Sequence, residues 1–104
     1  MSKATVTAGP CGFKTVIEAE QKERGTVALK IKSDCKFYEP LETELTEVSA
    51  YDEVFAKLGE GQIYSLCNKY AKHGTCPVPC AILKAVEAAA GLALPVDVTI
   101  NIEK

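Results

Sequence analysis

The stretch that decides the fold is KTVIEAEQKERGTVALKIKS, residues 14–33. Its polar and less polar residues alternate on both sides of a central turn, and one face carries Thr15, Ile17, Ala19, Val27, Leu29 and Ile31. A period of two is that of a β-strand with one buried face. Gly25 closes the turn at residues 22–25, because glycine adopts a positive φ that other residues resist. The stretch therefore predicts an antiparallel hairpin in a sheet that is covered on one side only.

The remaining elements are predicted outward from this hairpin. Residues 4–7 are a short candidate strand before it, and a final strand is predicted over residues 96–102, where Val96, Val98, Ile100 and Ile102 share one face. Apolar spacing predicts helical segments over residues 40–48, continued over 51–58, then 62–72 and 79–90. The order β-β-β-α-α-α-β predicts an α/β fold of the α+β kind. We expect a two-layer sandwich with helices on one face of a mostly antiparallel sheet of three to four strands, in which the last strand pairs with the N-terminal ones.

Composition sets the broad class of protein. The 104 residues are 47% hydrophobic and 25% charged, as in ordinary globular proteins, and we expect a single domain over residues 1–104. A net charge of -2 gives no positive field that would attract nucleic acid or an anionic membrane surface. Neither an export signal nor an apolar run of membrane-spanning length is present, so we expect a cytoplasmic protein.

Cysteine is the distinctive chemical feature of the chain, at positions Cys11, Cys35, Cys67, Cys76 and Cys80. An odd number of cysteines without an export signal argues against a disulfide framework. Cys67 falls in the apolar stripe of the helix predicted over residues 62–72, so we expect it to pack in the core. The other four cysteines lie in loops or at the ends of predicted elements.

The chain topology predicts that Cys11, Cys35 and Cys76 converge. The loop that holds Cys11 and the exit of the third strand at Cys35 fall at the same end of the sheet, because the second and third strands are antiparallel. The start of the last helix lies there too, if residues 91–95 lead into the final strand from the other end. A helix N-terminus favours a thiolate, which is both a nucleophile and a metal ligand.

The leading prediction is a metal-binding protein without enzymatic activity. Cys11, Cys35 and Cys76 are its predicted core ligands, and Cys80 is the predicted fourth. Ligation by thiolates alone suits an iron–sulfur cluster or zinc and does not distinguish the two. His73, at a predicted helix end, is typically a capping residue, but it is an alternative fourth ligand.

Two alternatives stay open. In the first, a thiol-redox or thiol-transfer protein uses Cys76 or Cys80 as its nucleophile and a neighbouring cysteine as the resolving thiol. In the second, a structural domain contacts a protein partner or a second copy of itself through the acidic helices between Glu39 and Glu60. The sequence has neither a phosphate-binding loop nor a Ser-His-Asp arrangement that would indicate another class of enzyme.

Three segments carry a resemblance to a known family: Ala8-Gly9-Pro10-Cys11-Gly12-Phe13, Ser33-Asp34-Cys35, and Cys76-Pro77-Val78-Pro79 followed by Ala81-Ile82-Leu83-Lys84. On these segments the chain resembles, over almost its whole length, a family of short uncharacterised cysteine-containing proteins from anaerobic bacteria and archaea. The resemblance implies no activity. It implies an anaerobe-type cytoplasmic setting in which exposed thiols and iron–sulfur chemistry survive.

Overall fold

The computed structural model describes residues 1–104 as a four-stranded antiparallel sheet with helices packed on it. The strands, in both chain order and spatial order, are β1 (Ser2–Thr7), β2 (Lys14–Glu23), β3 (Thr26–Ser33) and β4 (Glu47–Ser49). The helices are α1 (Leu41–Glu44), α2 (Ala50–Val54), α3 (Gln62–Tyr70) and α4 (Val78–Ala89). Two short 3-10 turns, Gly9–Cys11 and Lys36–Tyr38, follow β1 and β3. The α+β prediction with an antiparallel sheet is confirmed.

The central hairpin forms as its alternation predicts. Ile17 of β2 lies opposite Ile31 of β3, and both side chains are buried. The turn requires glycine at position 25 for two reasons, since Gly25 has a φ of +83° and a Cβ there would lie 2.7 Å from the ring of Tyr51. The carbonyl of Gly25 also accepts the backbone N–H of Ala50 at 2.7 Å, which ties the turn to the start of α2.

One hydrophobic core lies between the sheet and the helices. The inward face of the hairpin packs against buried side chains from the helical layer, which include Tyr38, Leu41, Ile63, Cys67, Ile82 and Val86. α4 is the longest helix and covers β1 and β2, while α1 lies against β3. Burial of these apolar side chains is the main force that holds the two layers together.

The fourth strand lies elsewhere than predicted. The helix predicted over residues 40–48 ends at Glu44, and the chain then turns to form β4 along the outer edge of β3. The carbonyl of Thr46 accepts the backbone N–H of Leu29 at 2.8 Å, which begins this pairing. The helical spacing identified the inward positions correctly, since the side chains of Leu41, Leu45 and Val48 are all buried. It predicted the wrong backbone conformation for residues 45–48. Pairing with a free strand edge prevailed over local periodicity.

The predicted final strand does not form. Residues 96–102 belong to no strand, and their apolar side chains are exposed. α3 and α4 lie within two residues of their predicted bounds, whereas α2 ends at Val54, four residues before the predicted end. None of the helices is both long enough and apolar enough to cross a membrane.

A buried carboxylate fixes the start of α3. Glu53, only 6% exposed, accepts the backbone N–H groups of Gln62 at 3.0 Å and Ile63 at 2.7 Å. These are two of the N–H groups that the first turn of a helix leaves without an intrahelical partner. Gly61, with a φ of +96°, lets the chain approach this carboxylate closely, since a Cβ there would lie 3.0 Å from Oε1. α3 is thereby positioned with Cys67 facing the core.

Candidate functional site

A cleft of about 240 Å³ lies at one end of the sheet. Three segments form its walls: the loop between β1 and β2, the turn after β3, and the connection between α3 and α4. The lining is mostly apolar and contains Cys11, Cys35 and Cys76 together with Tyr38, Lys72 and His73. A concave, mostly apolar site with a few polar groups is the usual form of a small-ligand pocket.

Tyr38 is the buried centre of this cleft. It ends the 3-10 turn after β3, is 2% exposed, and donates its phenolic O–H to Sγ of Cys76 at 3.0 Å. Burial raises the pKa of Tyr38 far above its usual range, and the hydrogen bond to Cys76 and the charges of Cys76, Cys67 and Cys35 act in the same direction. The hydroxyl therefore keeps its proton and remains a hydrogen-bond donor to the sulfur.

Cys35 is positioned by the end of β3. Its backbone N–H donates to Oγ of Ser33 at 3.1 Å, and its carbonyl accepts the N–H of Tyr38 at 3.1 Å. The hydroxyls of Ser33 and Thr15 are 2.7 Å apart and hydrogen-bonded, which joins this corner to β2. Thr15 is buried, and this bond provides its hydroxyl with a partner. The half-exposed thiol of Cys35 thus lies on a rigid corner of the sheet.

Cys76 lies just before α4 and is half-exposed. Its backbone N–H donates to the carbonyl of His73 at 3.2 Å, and Pro77 follows it as the N-cap of the helix. Because proline fixes its own φ and restricts the residue before it, the position of the Cys76 thiol is constrained.

Cys67 lies beside this site but is buried beneath it. Burial raises the pKa of Cys67 to about 12, and the charge of Cys76 adds to the shift. Its thiol therefore stays protonated near neutral pH and is not a nucleophile. The packing role predicted for Cys67 agrees with its 1% exposure, yet the prediction did not include its closeness to Cys76 and Tyr38.

The predicted ligand set is divided by the fold. Cys11, in the exposed 3-10 turn after β1, shares the cleft with Cys35 and Cys76. Cys80 is exposed on the other side of the start of α4, where it lines a separate groove beside β1. No group of three or more His, Cys, Asp or Glu side chains is arranged to hold a metal ion. Metal binding by Cys11, Cys35, Cys76 and Cys80 stays a prediction.

Sequence reasoning missed Tyr38. The available signal was slight: an aromatic residue three positions after Cys35, directly following Phe37. Nothing in that local pattern indicates that its hydroxyl reaches a cysteine 38 residues further along the chain.

Fold and cleft together define a small α+β protein with a cysteine-lined cleft closed from below by a buried tyrosine. The chain belongs to a family of unknown function, DUF6951, which matches residues 2–102. Membership in a family of unknown function confirms that part of the resemblance, while the anaerobic source and the cysteine content of the family stay predictions. No curated protein and no solved structure matches the chain.

Proposed function

We propose that this protein carries out thiol–disulfide exchange, with Cys76 as the attacking thiol and Cys35 as the resolving thiol. The observation that carries the proposal is the hydrogen bond from the Tyr38 hydroxyl to Sγ of Cys76, at 3.0 Å, in a cleft that Cys35 also lines. The bond fixes the position of this sulfur, and its donor can stabilise the negative charge that the sulfur carries when it attacks.

The exchange proceeds in two steps. The Cys76 thiolate attacks one sulfur of a substrate disulfide, forms a mixed disulfide with it, and releases the other sulfur as a thiolate. Cys35, as a thiolate, then attacks Sγ of Cys76, which forms a Cys35–Cys76 disulfide and releases the second substrate thiolate. Two electrons have passed from the protein to the substrate, and the two protein thiol protons end on the released thiolates. A dithiol reductant restores the protein by the reverse route.

The surroundings of the cleft support this division of roles. Cys67 is excluded as an attacking thiol because it is buried and protonated, and Cys80 is excluded because it faces the other groove. Lys72 also lines the cleft, with its ammonium nitrogen 5.7 Å from the centre of the Phe37 ring. We further propose a reducing cytoplasmic setting, of the kind found in anaerobes, since all five cysteines are free thiols here and such a setting keeps them available.

The test is to expose the reduced protein to glutathione disulfide, trap the products with an alkylating agent, and map them by peptide mass spectrometry. We expect a Cys35–Cys76 disulfide in the wild type and glutathione retained on Cys76 in Cys35→Ser. Cys80→Ser is the matched control and should behave as the wild type. Glutathione found only on the exposed Cys11 and Cys80 would contradict the proposal.

A second candidate function is metal binding, which we propose on the specific observation that Cys11, Cys35 and Cys76 line one cleft. Three thiolates with His73, from the same cleft, form a ligand set suited to zinc or an iron–sulfur cluster. The side chains would have to draw together, since they are not arranged for a metal as they stand.

The metal proposal is tested by purifying the protein without oxygen and measuring zinc, iron and acid-labile sulfide per chain. We expect stoichiometric metal that is lost in Cys35→Ser and retained in Cys80→Ser. Trace metal in every preparation, unaffected by Cys35→Ser, would contradict it and would leave thiol exchange unaffected.

A further inference from the structure

Residues 96–102 are the part of the molecule that its own fold leaves without a partner. Their apolar face consists of Val96, Val98, Ile100 and Ile102, which are between 54% and 89% exposed. Residues 97–104 take part in no hydrogen bond, through backbone or side chain. Four exposed apolar side chains on one strand-like face are the mark of an interaction surface, since isolated apolar residues on a surface are ordinary but a continuous row is not.

A matching surface lies on the same protein. β1 is an edge strand, because it pairs with β2 and with no other strand. Its second edge therefore presents unpaired N–H and C=O groups, which can pair with another extended chain. Beside this edge runs a groove of about 980 Å³ between β1, the flank of α4 and residues 94–100. The α4 flank contributes Ala81, Ala85 and Ala88, small residues over which an apolar strand face can pack, together with the ion-paired Lys84 and Glu87.

The protein's own segment does not fill this groove. The backbone N–H groups of Leu92 and Ala93 both donate to the carbonyl of Glu87, at 2.9 and 3.3 Å, which anchors the root of the segment on the end of α4. From that root the segment forms the far wall of the groove and makes no backbone hydrogen bond to β1. The space between edge and segment is thus bounded on both sides by backbone with unpaired polar groups.

We propose that residues 96–102 of a second copy of this chain enter the groove and pair with β1, in a reciprocal exchange that forms a two-fold dimer. The entering strand would lie about 4.8 Å from β1 and have the resident segment on its other side. Its apolar face would pack on the α4 flank, and Asp97, its only charged residue, is opposite in sign to Lys3 on β1, which makes no ion pair in the single chain. Reciprocity closes the assembly at two copies, since each copy supplies one edge and one strand.

The test begins with the mass of the full chain in solution, measured by light scattering and sedimentation over a range of concentrations. We expect a dimer. The double variant Val98→Asp with Ile100→Asp should dissociate at least about tenfold more readily, because it places charge on the buried face of the pairing strand. The matched control Thr99→Asp with Asn101→Asp adds the same charge to the other face and should remain dimeric.

Both double variants should remain folded and unfold cooperatively, measured by circular dichroism on heating, since all four positions are exposed in the single chain. A sample that mixes isotope-labelled and unlabelled copies should show intermolecular contacts between residues 96–102 and β1 by NMR. A wild type that is monomeric at every concentration would overturn the proposal. So would a dimer that withstands Val98→Asp with Ile100→Asp, or a monomer whose residues 96–102 pair with β1 of the same chain.

Discussion

The cleft and the groove lie on opposite sides of the start of α4, and they differ in the interactions that position their residues. On one side, Cys76 faces a mostly apolar cleft in which a few polar contacts position the cysteines: Tyr38 bonds the Cys76 sulfur, and Ser33 and Thr15 fix the corner at Cys35. On the other side, Cys80 faces a longer groove lined by alanines and β1. Four positions apart within one helix, two side chains would share a face. Here Cys76 precedes the helix and Cys80 lies in its first turn, so the two thiols belong to different sites.

The contrast supports both proposals, thiol chemistry in the cleft and contact with another chain along the groove. The cleft joins an oriented donor to a constrained sulfur, which is what a reactive site requires. The groove offers small side chains and an unpaired strand edge, which favour another chain over a small molecule. The following predictions test this contrast, from the largest expected effect to the smallest.

Ile82→Ala should destabilise the cleft and the groove together, because α4 supports both. Ile82 lies in α4, fully buried, between the cleft at its start and the groove along its flank. Removal of its buried methyl and methylene groups should lower the free energy of unfolding by about 2–5 kcal/mol, measured by urea denaturation. Leu58→Ala is the control, because Leu58 is 91% exposed and its truncation should change the free energy little. Equal effects of the two variants would contradict the assignment of α4 as the shared support.

High pH should destabilise the protein, because the Cys67 thiol buried beneath the cleft must then lose its proton. The pKa of Cys67 rises to about 12 in the folded protein, against about 8.5 in an unfolded chain. The unfolded chain therefore loses its thiol proton first, so the stabilisation is complete below about pH 8.5 and is lost as the pH approaches about 12. The expected slope is about 1.4 kcal/mol of unfolding free energy per pH unit, and burial of the Tyr38 hydroxyl adds to it above about pH 10.

Urea denaturation at a series of pH values measures this slope. Cys67→Ala should flatten it in the range where only the thiol titrates, even though the baseline stability falls because of the cavity. Cys80→Ala removes an exposed thiol and should leave the slope as in the wild type. A slope that is the same in all three proteins would contradict the buried, protonated state of Cys67.

Tyr38→Phe should lower the reactivity of Cys76 and leave that of Cys80 unchanged. Loss of the hydroxyl removes the hydrogen bond to Sγ of Cys76 and should slow alkylation of Cys76 several-fold near neutral pH, because the attacking sulfur loses a donor worth about 1 kcal/mol. Cys80, which faces the groove, should react at its wild-type rate in the same sample and serves as an internal control. The rates are measured by isotope-coded alkylation and mass spectrometry. An unchanged ratio of the two rates would show that Tyr38 does not activate Cys76.

Ser2→Ala should have the smallest effect and act on the groove side alone. The hydroxyl of Ser2 donates to the carbonyl of Ala85 at 2.7 Å, which connects β1 to α4 along the groove. We expect a loss of about 1 kcal/mol in the free energy of unfolding, with alkylation of Cys76 unchanged. Ser2→Thr keeps a hydroxyl and is the matched control. An effect on Cys76 would mean that the two sides are coupled through α4.

Much of the fold was predictable from the sequence, because alternation along residues 14–33 reports directly which side chains face the core. The helix around Ile82 was equally clear from its apolar stripe and its prolines and glycine. β4 was not predictable, since Val48 has the spacing of a helix that began at Leu41. Its strand conformation comes from the free edge of β3, a neighbour that local sequence does not reveal.

The candidate site was predictable in part. Antiparallel topology was sufficient to bring Cys11 and Cys35 to one end of the sheet. Cys76 also reaches that end, although the final strand from which the direction of the last helix was inferred does not form. The topology argument did not extend to Cys80, the predicted fourth ligand, which lines the groove instead. Tyr38 was absent from the prediction, because its hydrogen bond to the Cys76 sulfur becomes evident only when the positions of both residues in space are known.

The sequence by itself determined the hairpin, the inward faces of β2 and β3, the two longer helices and the buried state of Cys67. These depend on periodicity and hydrophobicity, which are local properties of the chain. Only the tertiary structure decided that Cys76 meets Tyr38, that Cys80 faces away, that β4 replaces the predicted last strand, and that residues 96–102 lie unpaired beside β1. The physical reason is that a hydrogen bond or a strand pair joins residues distant in sequence, and the rest of the core selects which of them meet.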